Sequence, residues 1–264
     1  MTKGFCIGFL LFCATTLAMP SRTMKYSPRS AKAAVAWQEQ VRRHLFTLLK
    51  MEDWLAARTS LPLAPKTISQ QDSGSYTLFE MEIQSTEQRR IPLLLTIPHG
   101  KGPFPAVVCI HGHGGNRRSV YDTASIYKGF ARALAGGGFI TIAADVGQHT
   151  VSENGRTLMG ERLWDVMRCV DYLASRPETD RKRMGCAGLS LGGEMAMWLG
   201  AMEVRMQATV SSGFLTMMDQ MEKNHCMCWK FDGLREAVDW PDVYSLIAPR
   251  SEERRVGKEC RSRW

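Results

Sequence analysis

Residues 183–199 read Arg-Met-Gly-Cys-Ala-Gly-Leu-Ser-Leu-Gly-Gly-Glu-Met-Ala-Met-Trp-Leu, and this stretch decides the fold. The apolar run ending at Ala187 predicts a strand, and the segment from Gly193 predicts a helix, so Gly188-Leu189-Ser190-Leu191-Gly192-Gly193 falls on the turn between them. A serine held on a tight strand-to-helix turn must accept strained backbone angles, which explains small residues two positions to either side. The helix behind it points free N–H groups and the positive end of its dipole at the same spot, where an oxyanion would form. Ser190 is the candidate nucleophile, flanked by the elbow glycines Gly188 and Gly192.

Working outward, residues from Phe104 alternate between strand and helix patterns, which predicts a mostly parallel sheet with helices on both faces. Strands are expected at 106–110, 139–144, 184–187 and 208–211. Helical faces are expected from Ile126, Phe130, Ala133 and Leu134, from Leu163, Val166, Met167, Val170 and Leu173, and over 194–199. Before this lies a packing helix with Trp37, Val41, Leu45, Leu48 and Leu49 on one face. A proline-bearing link, 61–65, then leads to a hairpin over 76–83 and 91–97.

The first parallel strand runs into His111-Gly112-His113-Gly114-Gly115. Gly112 and Gly114 let backbone N–H groups come close to a substrate, as an oxyanion hole requires together with the amide after the nucleophile. The rings of His111 and His113 lack a third ligand nearby in sequence, so no metal is expected there. His225-Cys226-Met227-Cys228 is likewise expected to be a loop packed beside the site, because no second Cys/His pair accompanies it. Asp145, at a strand's C-terminal end, is expected to be a turn residue. Met217, Met218, Met221 and Met227 are expected to be plain packing.

These residues resemble the α/β-hydrolase superfamily and, within it, secreted esterases of the dienelactone-hydrolase and acetyl-xylan-esterase kind. The resemblance runs over about Trp37 to Pro249 and rests on Phe104-Pro105-Ala106-Val107-Val108, the His111–Gly115 loop, Asp145, Leu163-Trp164-Asp165, Gly188–Gly193 and Ile247-Ala248-Pro249-Arg250. It implies Ser190 as nucleophile, the backbone N–H groups of His113 and Leu191 as oxyanion hole, and cleavage through an acyl-serine without a metal or organic cofactor. Dienelactone hydrolases themselves use a cysteine nucleophile, and Ser190 favours ester cleavage by a serine mechanism. The implied substrate is a small ester or an acetylated polysaccharide. A peptidase of the same fold and a non-catalytic binding protein are the competing expectations.

In such proteins the acid follows the strand opened by the Ile247–Arg250 segment, and the histidine follows the last strand. The sole histidine after Ser190 here is His225, which the resemblance does not place as a base; a route using it with Asp219 or Asp232 is the minor alternative. Arg250–Trp264, Arg-Ser-Glu-Glu-Arg-Arg-Val-Gly-Lys-Glu-Cys-Arg-Ser-Arg-Trp, matches the in-frame translation of a common sequencing adaptor. The native product is therefore expected to run to about Pro249, with the last two strands missing and the chain as given inactive. Strand 208–211 is expected to be an open apolar edge that lowers solubility.

Composition narrows the rest. A chain of 264 residues suits one α/β domain over about 35–249. The net charge of +8 includes +3 from Arg250–Trp264, which carries six basic and three acidic groups; the remainder is scattered without interleaved aromatics, so no nucleic acid is expected as a partner. Residues 1–18, with Lys3 before an apolar run too short to span a bilayer, are expected to be a signal peptide, and 19–34 a flexible lead-in. The expected location is periplasmic or extracellular, with no stable membrane anchor. Of eight cysteines, Cys6, Cys13 and Cys260 fall in the terminal segments. The odd remainder argues against a disulfide framework, and Cys109 and Cys186 are expected to be buried.

Overall fold

The computed structural model describes residues 22–223 and 225–255. The expected signal segment and most of Arg250–Trp264 lie outside the described residues. Eight strands form one sheet in the order β1-β2-β3-β5-β4-β6-β7-β8. They are β1 (Lys66–Asp72), β2 (Tyr76–Gln84), β3 (Arg90–Pro98), β4 (Phe104–Ile110), β5 (Ile140–Ala144), β6 (Thr179–Leu189), β7 (Ala208–Ser212) and β8 (Ser251–Arg255). The first three pair antiparallel, and β3 joins β5 antiparallel; β5-β4-β6-β7-β8 are parallel throughout. The helices are α1 (Ala31–Leu48), α2 (Glu52–Ala57), α3 (Phe130–Gly136), α4 (Leu158–Ser175), α5 (Leu191–Met202), α6 (Met218–Met221), α7 (Leu234–Ala237) and α8 (Trp240–Ser245). This is the α/β-hydrolase architecture that the alternation of patterns predicts.

The central strands carry little alternation because both faces are covered: all five residues of β5 are buried. All twelve residues of α5 are buried as well, which is why its sequence is apolar all round rather than striped. Helix α4 has its side-chain N-cap at Thr157, which accepts from the Gly160 N–H, and it buries the whole expected face from Leu163 to Leu173. The Trp164 ring stacks on Trp54 at 5.4 Å, and Asp165 pairs with Arg89 at 2.6 Å while accepting from the Ser85 hydroxyl. The Leu163-Trp164-Asp165 segment thus pins the β2–β3 turn to α4 and stands away from the chemistry.

Three expectations are corrected. The lead-in is docked along Arg22–Ser30: Thr23 and Met24 donate backbone bonds to Glu236 and Ala237, Arg22 pairs with Asp242 at 2.9 Å, and α1 already begins at Ala31 behind the Ser30 cap. The helical face read from Ile126 is displaced, because Gly129 adopts φ +62° and breaks the turn. Helix α3 therefore starts at Phe130, burying Ala131 and Ala135 and leaving Ile126 and Ala133 exposed. The edge of β7 is not open: Ser251–Arg255 pairs along it in parallel register, Ala208 opposite Ser251 and Ser212 opposite Arg255. A row of unpaired backbone donors and acceptors accepts an extended segment whatever its side chains. Strand β1, unannounced by any apolar pattern, caps the opposite edge with seven exposed residues.

Candidate active site

Strands β4 and β6 lie side by side with Ile110 opposite Gly188, so the two segments that leave their C-terminal ends, His111–Gly115 and Ser190, emerge as neighbours. Ligands gather at that edge in open α/β sheets. Ser190 takes φ +61° and ψ −124°, the strained conformation expected of a nucleophile elbow, and is exposed. Its own N–H donates to the Ser212 carbonyl at 2.9 Å and its carbonyl accepts from Glu194 N–H at 3.0 Å, which anchors the turn at both ends.

Sterics dictate the elbow glycines. A Cβ on Gly188 would lie 2.0 Å from the Gly192 carbonyl oxygen, and one on Gly192 would lie 2.2 Å from the Ile110 oxygen. Both are far inside van der Waals contact. A third tight approach, 2.3 Å from a Gly193 Cβ to the Ser212 oxygen, seats α5 against β7.

The His111–Gly115 loop is braced from beneath. His111 is fully buried: its Nε2 accepts from the Val146 N–H at 3.0 Å, which leaves Nδ1–H to donate to the Gly112 carbonyl at 2.8 Å. Burial pushes its pKa below the ordinary value, in keeping with this neutral tautomer. The Tyr127 hydroxyl accepts from Gly112 N–H at 2.6 Å. That amide is therefore engaged, whereas the His113 and Leu191 N–H groups meet no backbone acceptor among the described residues. Asp145 holds the Arg117 backbone N–H at 2.6 Å and its guanidinium at 2.7 Å, the turn role expected of it.

A small cavity of about 60 Å³ opens at Ser190, lined by His113, Leu191, Glu194, Phe214, Met221 and His225 among others. The cluster of methionines contributes Met221 alone to this lining. A larger hollow of about 460 Å³ beside Trp54 and Arg156 includes no residue of the elbow, and one of about 320 Å³ lies against Gly188 and Leu189 without reaching Ser190. Glu194 was not singled out by the sequence. It is 2% exposed, its Oε1 has no hydrogen-bond partner, and burial raises its pKa to about 8 although Arg162 opposes the shift. His225 reaches the cavity from the loop after α6, whereas Asp219, one of its two suggested partners, is paired with Arg235.

Behind the rim, side chains from three loops meet. His113 Nε2 lies 3.1 Å from Cys228 Sγ, the His113 and His149 rings stack at 5.2 Å, and the ligating atoms of His113, His149, Cys226 and Cys228 all lie within 4.8 Å of one another. Burial and the nearby Arg162 guanidinium lower the pKa of His113. Sequence spacing hides this group: His113 and Cys228 are 115 positions apart, and only the sheet brings them together.

The family model for the dienelactone hydrolase family matches residues 91–223. The chain belongs to the dienelactone hydrolase family. Among relatives, it is 26% identical to the Bacillus subtilis hydrolase YtaP over 60% of each chain. It is also 33% identical to esterase EstD of Thermotoga maritima over 39% of this chain and 25% of that one. It thus spans about three fifths of the first relative and a quarter of the second. In fold it is similar to a Bacteroides fragilis structure assigned to the acetyl xylan esterases, with a TM-score of 0.76, 17% identity, and 89% of this chain and 71% of that chain covered. An acetyl xylan esterase from Paenibacillus sp. R4 gives 0.57 at 17% identity, with 82% of each chain covered. The structural likenesses show the fold, and the family model shows the family.

Proposed function

We propose that the protein is a secreted serine carboxylesterase acting on small acyl esters, of the acetyl-xylan-esterase kind. The observation that carries this reading is the exposed Ser190 at φ +61°, seated at the N-terminus of α5 beside the His113 and Leu191 amides. Ser190 Oγ attacks the ester carbonyl, the two amides hold the oxyanion, the alcohol leaves, and water releases the acid from the acyl-serine. The Phe214 and Met221 side chains give the cavity an apolar wall suited to a short acyl group, and its small volume argues against a long one.

Labelling with a fluorophosphonate tests the nucleophile directly. Ser190 is expected to be labelled, and Ser190→Ala to lose at least about a thousandfold in labelling rate. Equal labelling of the two would sink the enzyme reading in favour of a binding protein. Acetylated xylan and an aryl acetate set against a peptide panel then separate esterase from peptidase. Because His225 lines the Ser190 cavity, His225→Ala is the added arm: equal ester rates rule it out as base.

A further inference from the structure

We propose that His113, His149, Cys226 and Cys228 form a structural zinc site that ties the oxyanion loop to the two loops facing it. The set is two imidazoles and two thiols, the donor chemistry that selects zinc over magnesium or calcium. All four ligating atoms lie within 4.8 Å of one another. Tetrahedral zinc with bonds of about 2.0–2.3 Å requires ligand separations of about 3.3–3.8 Å. His113 Nε2 and Cys228 Sγ, at 3.1 Å, are already that close, and side-chain rotation of roughly an ångström brings in the others. Three of the four ligands are exposed and Cys228 is half-buried, so the metal has an entry path.

The surroundings fit a thiolate site. Arg162, fully buried in α4, donates from Nη1 to Cys228 Sγ at 3.4 Å and is itself held by the Gln148 carbonyl, one residue before His149. An N–H donor on a ligating sulfur favours the thiolate and steadies it, as outer-shell groups do around metals. Two thiolates balance the two charges of the ion, and both cysteines release their protons on binding. With four protein ligands the site is closed, so it positions loops and performs no chemistry. Its consequence is mechanical. His113, whose amide is the proposed oxyanion donor, becomes fixed to the 226–228 loop and to the loop after β5. The assignment is independent of the reaction at Ser190.

The test uses the full chain, reduced and stripped of metal with a chelator, then titrated with cobalt(II) and afterwards zinc. Expected are about one equivalent of cobalt, the visible bands of a tetrahedral ion, thiolate-to-cobalt charge transfer in the near ultraviolet, and displacement by zinc. Cys226→Ser and His149→Ala should each weaken binding by at least about a hundredfold with unchanged far-ultraviolet circular dichroism. Absence of charge transfer while thiol titration shows both cysteines reduced would overturn the proposal. So would binding that persists in the Cys226→Ser/Cys228→Ser double variant, or a Cys226–Cys228 disulfide that stays metal-free after reduction.

Discussion

The elbow and the rim above it sit within a few residues of one another in space and are specified in opposite ways. At the elbow, Gly188 and Gly192 are fixed by close backbone approaches, the first to Gly192 and the second to Ile110 at the end of β4, with carbonyl oxygens about 2 Å from any added Cβ. At the rim, His113, His149, Cys226 and Cys228 come from three loops, and nothing local requires their identities. Short-range steric demand leaves a readable motif; side-chain convergence across a sheet leaves none. A region of the first kind tolerates almost no substitution, whereas one of the second kind loses only what its side chains do.

Gly188→Ala is the severest way to break that contrast. The added methyl collides with the backbone of α5, and a loss of about 4 kcal/mol or more is expected in urea unfolding; a loss below about 1 would show that the elbow relaxes freely. Glu194→Gln comes next, and its effect depends on pH. The folded-state pKa of about 8 stands above the ordinary 4.5, so the native state holds a proton that the unfolded chain releases. Stability from this group is full below about pH 4.5 and falls as pH rises through 8. The variant should therefore match the parent at pH 5 and exceed it at pH 9, by an amount on the order of a few kcal/mol. Parallel urea midpoints at both pH values would contradict the raised pKa.

His111→Ala addresses the brace that joins the two regions. Removing the acceptor for Val146 N–H and the donor to Gly112 is expected to cost about 2 kcal/mol and to slow fluorophosphonate labelling of Ser190 several-fold. Unchanged labelling would separate loop position from reactivity. Asp145→Asn is the mildest: it weakens a half-exposed pair with Arg117, so a change under about 1 kcal/mol and normal labelling are expected. Loss of labelling there would give Asp145 a part in the chemistry.

Most of the architecture was legible because its signals are local. Continuous apolar strands from 106 to 211, the faces of α1 and α4, and the elbow each announce themselves within a dozen residues. Strand β1 did not: Lys66–Asp72 is wholly exposed, and its pairing with β2 depends on backbone bonds that any sequence can make. The start of α3 was misread because Gly129 at φ +62° interrupts an otherwise helical pattern. Docking of Arg22–Ser30 escaped notice because its partners, Glu236, Ala237 and Asp242, lie more than 200 residues downstream. In the candidate site, the sequence singled out Ser190, its glycines and the His111–Gly115 loop, while Tyr127 and Glu194 went unmarked, since a lone tyrosine or glutamate carries no pattern. Of the His/Cys cluster, His113, Cys226 and Cys228 were each weighed as ligands and set aside for want of partners, and His149 was not singled out.

The short 3₁₀ turn Met227–Trp229 has an optical consequence. Trp229 meets Trp240 edge-on at 5.4 Å, and Trp240 meets Trp198 of α5 at 6.0 Å. Three indoles at such spacing exchange excitation, so the near-ultraviolet dichroism of the protein is expected to carry a band from a chromophore chain running from the loop that carries Cys228 to the helix that follows Ser190. An event that shifts that loop should alter this band, so that the molecule reports on its own rim without an added label.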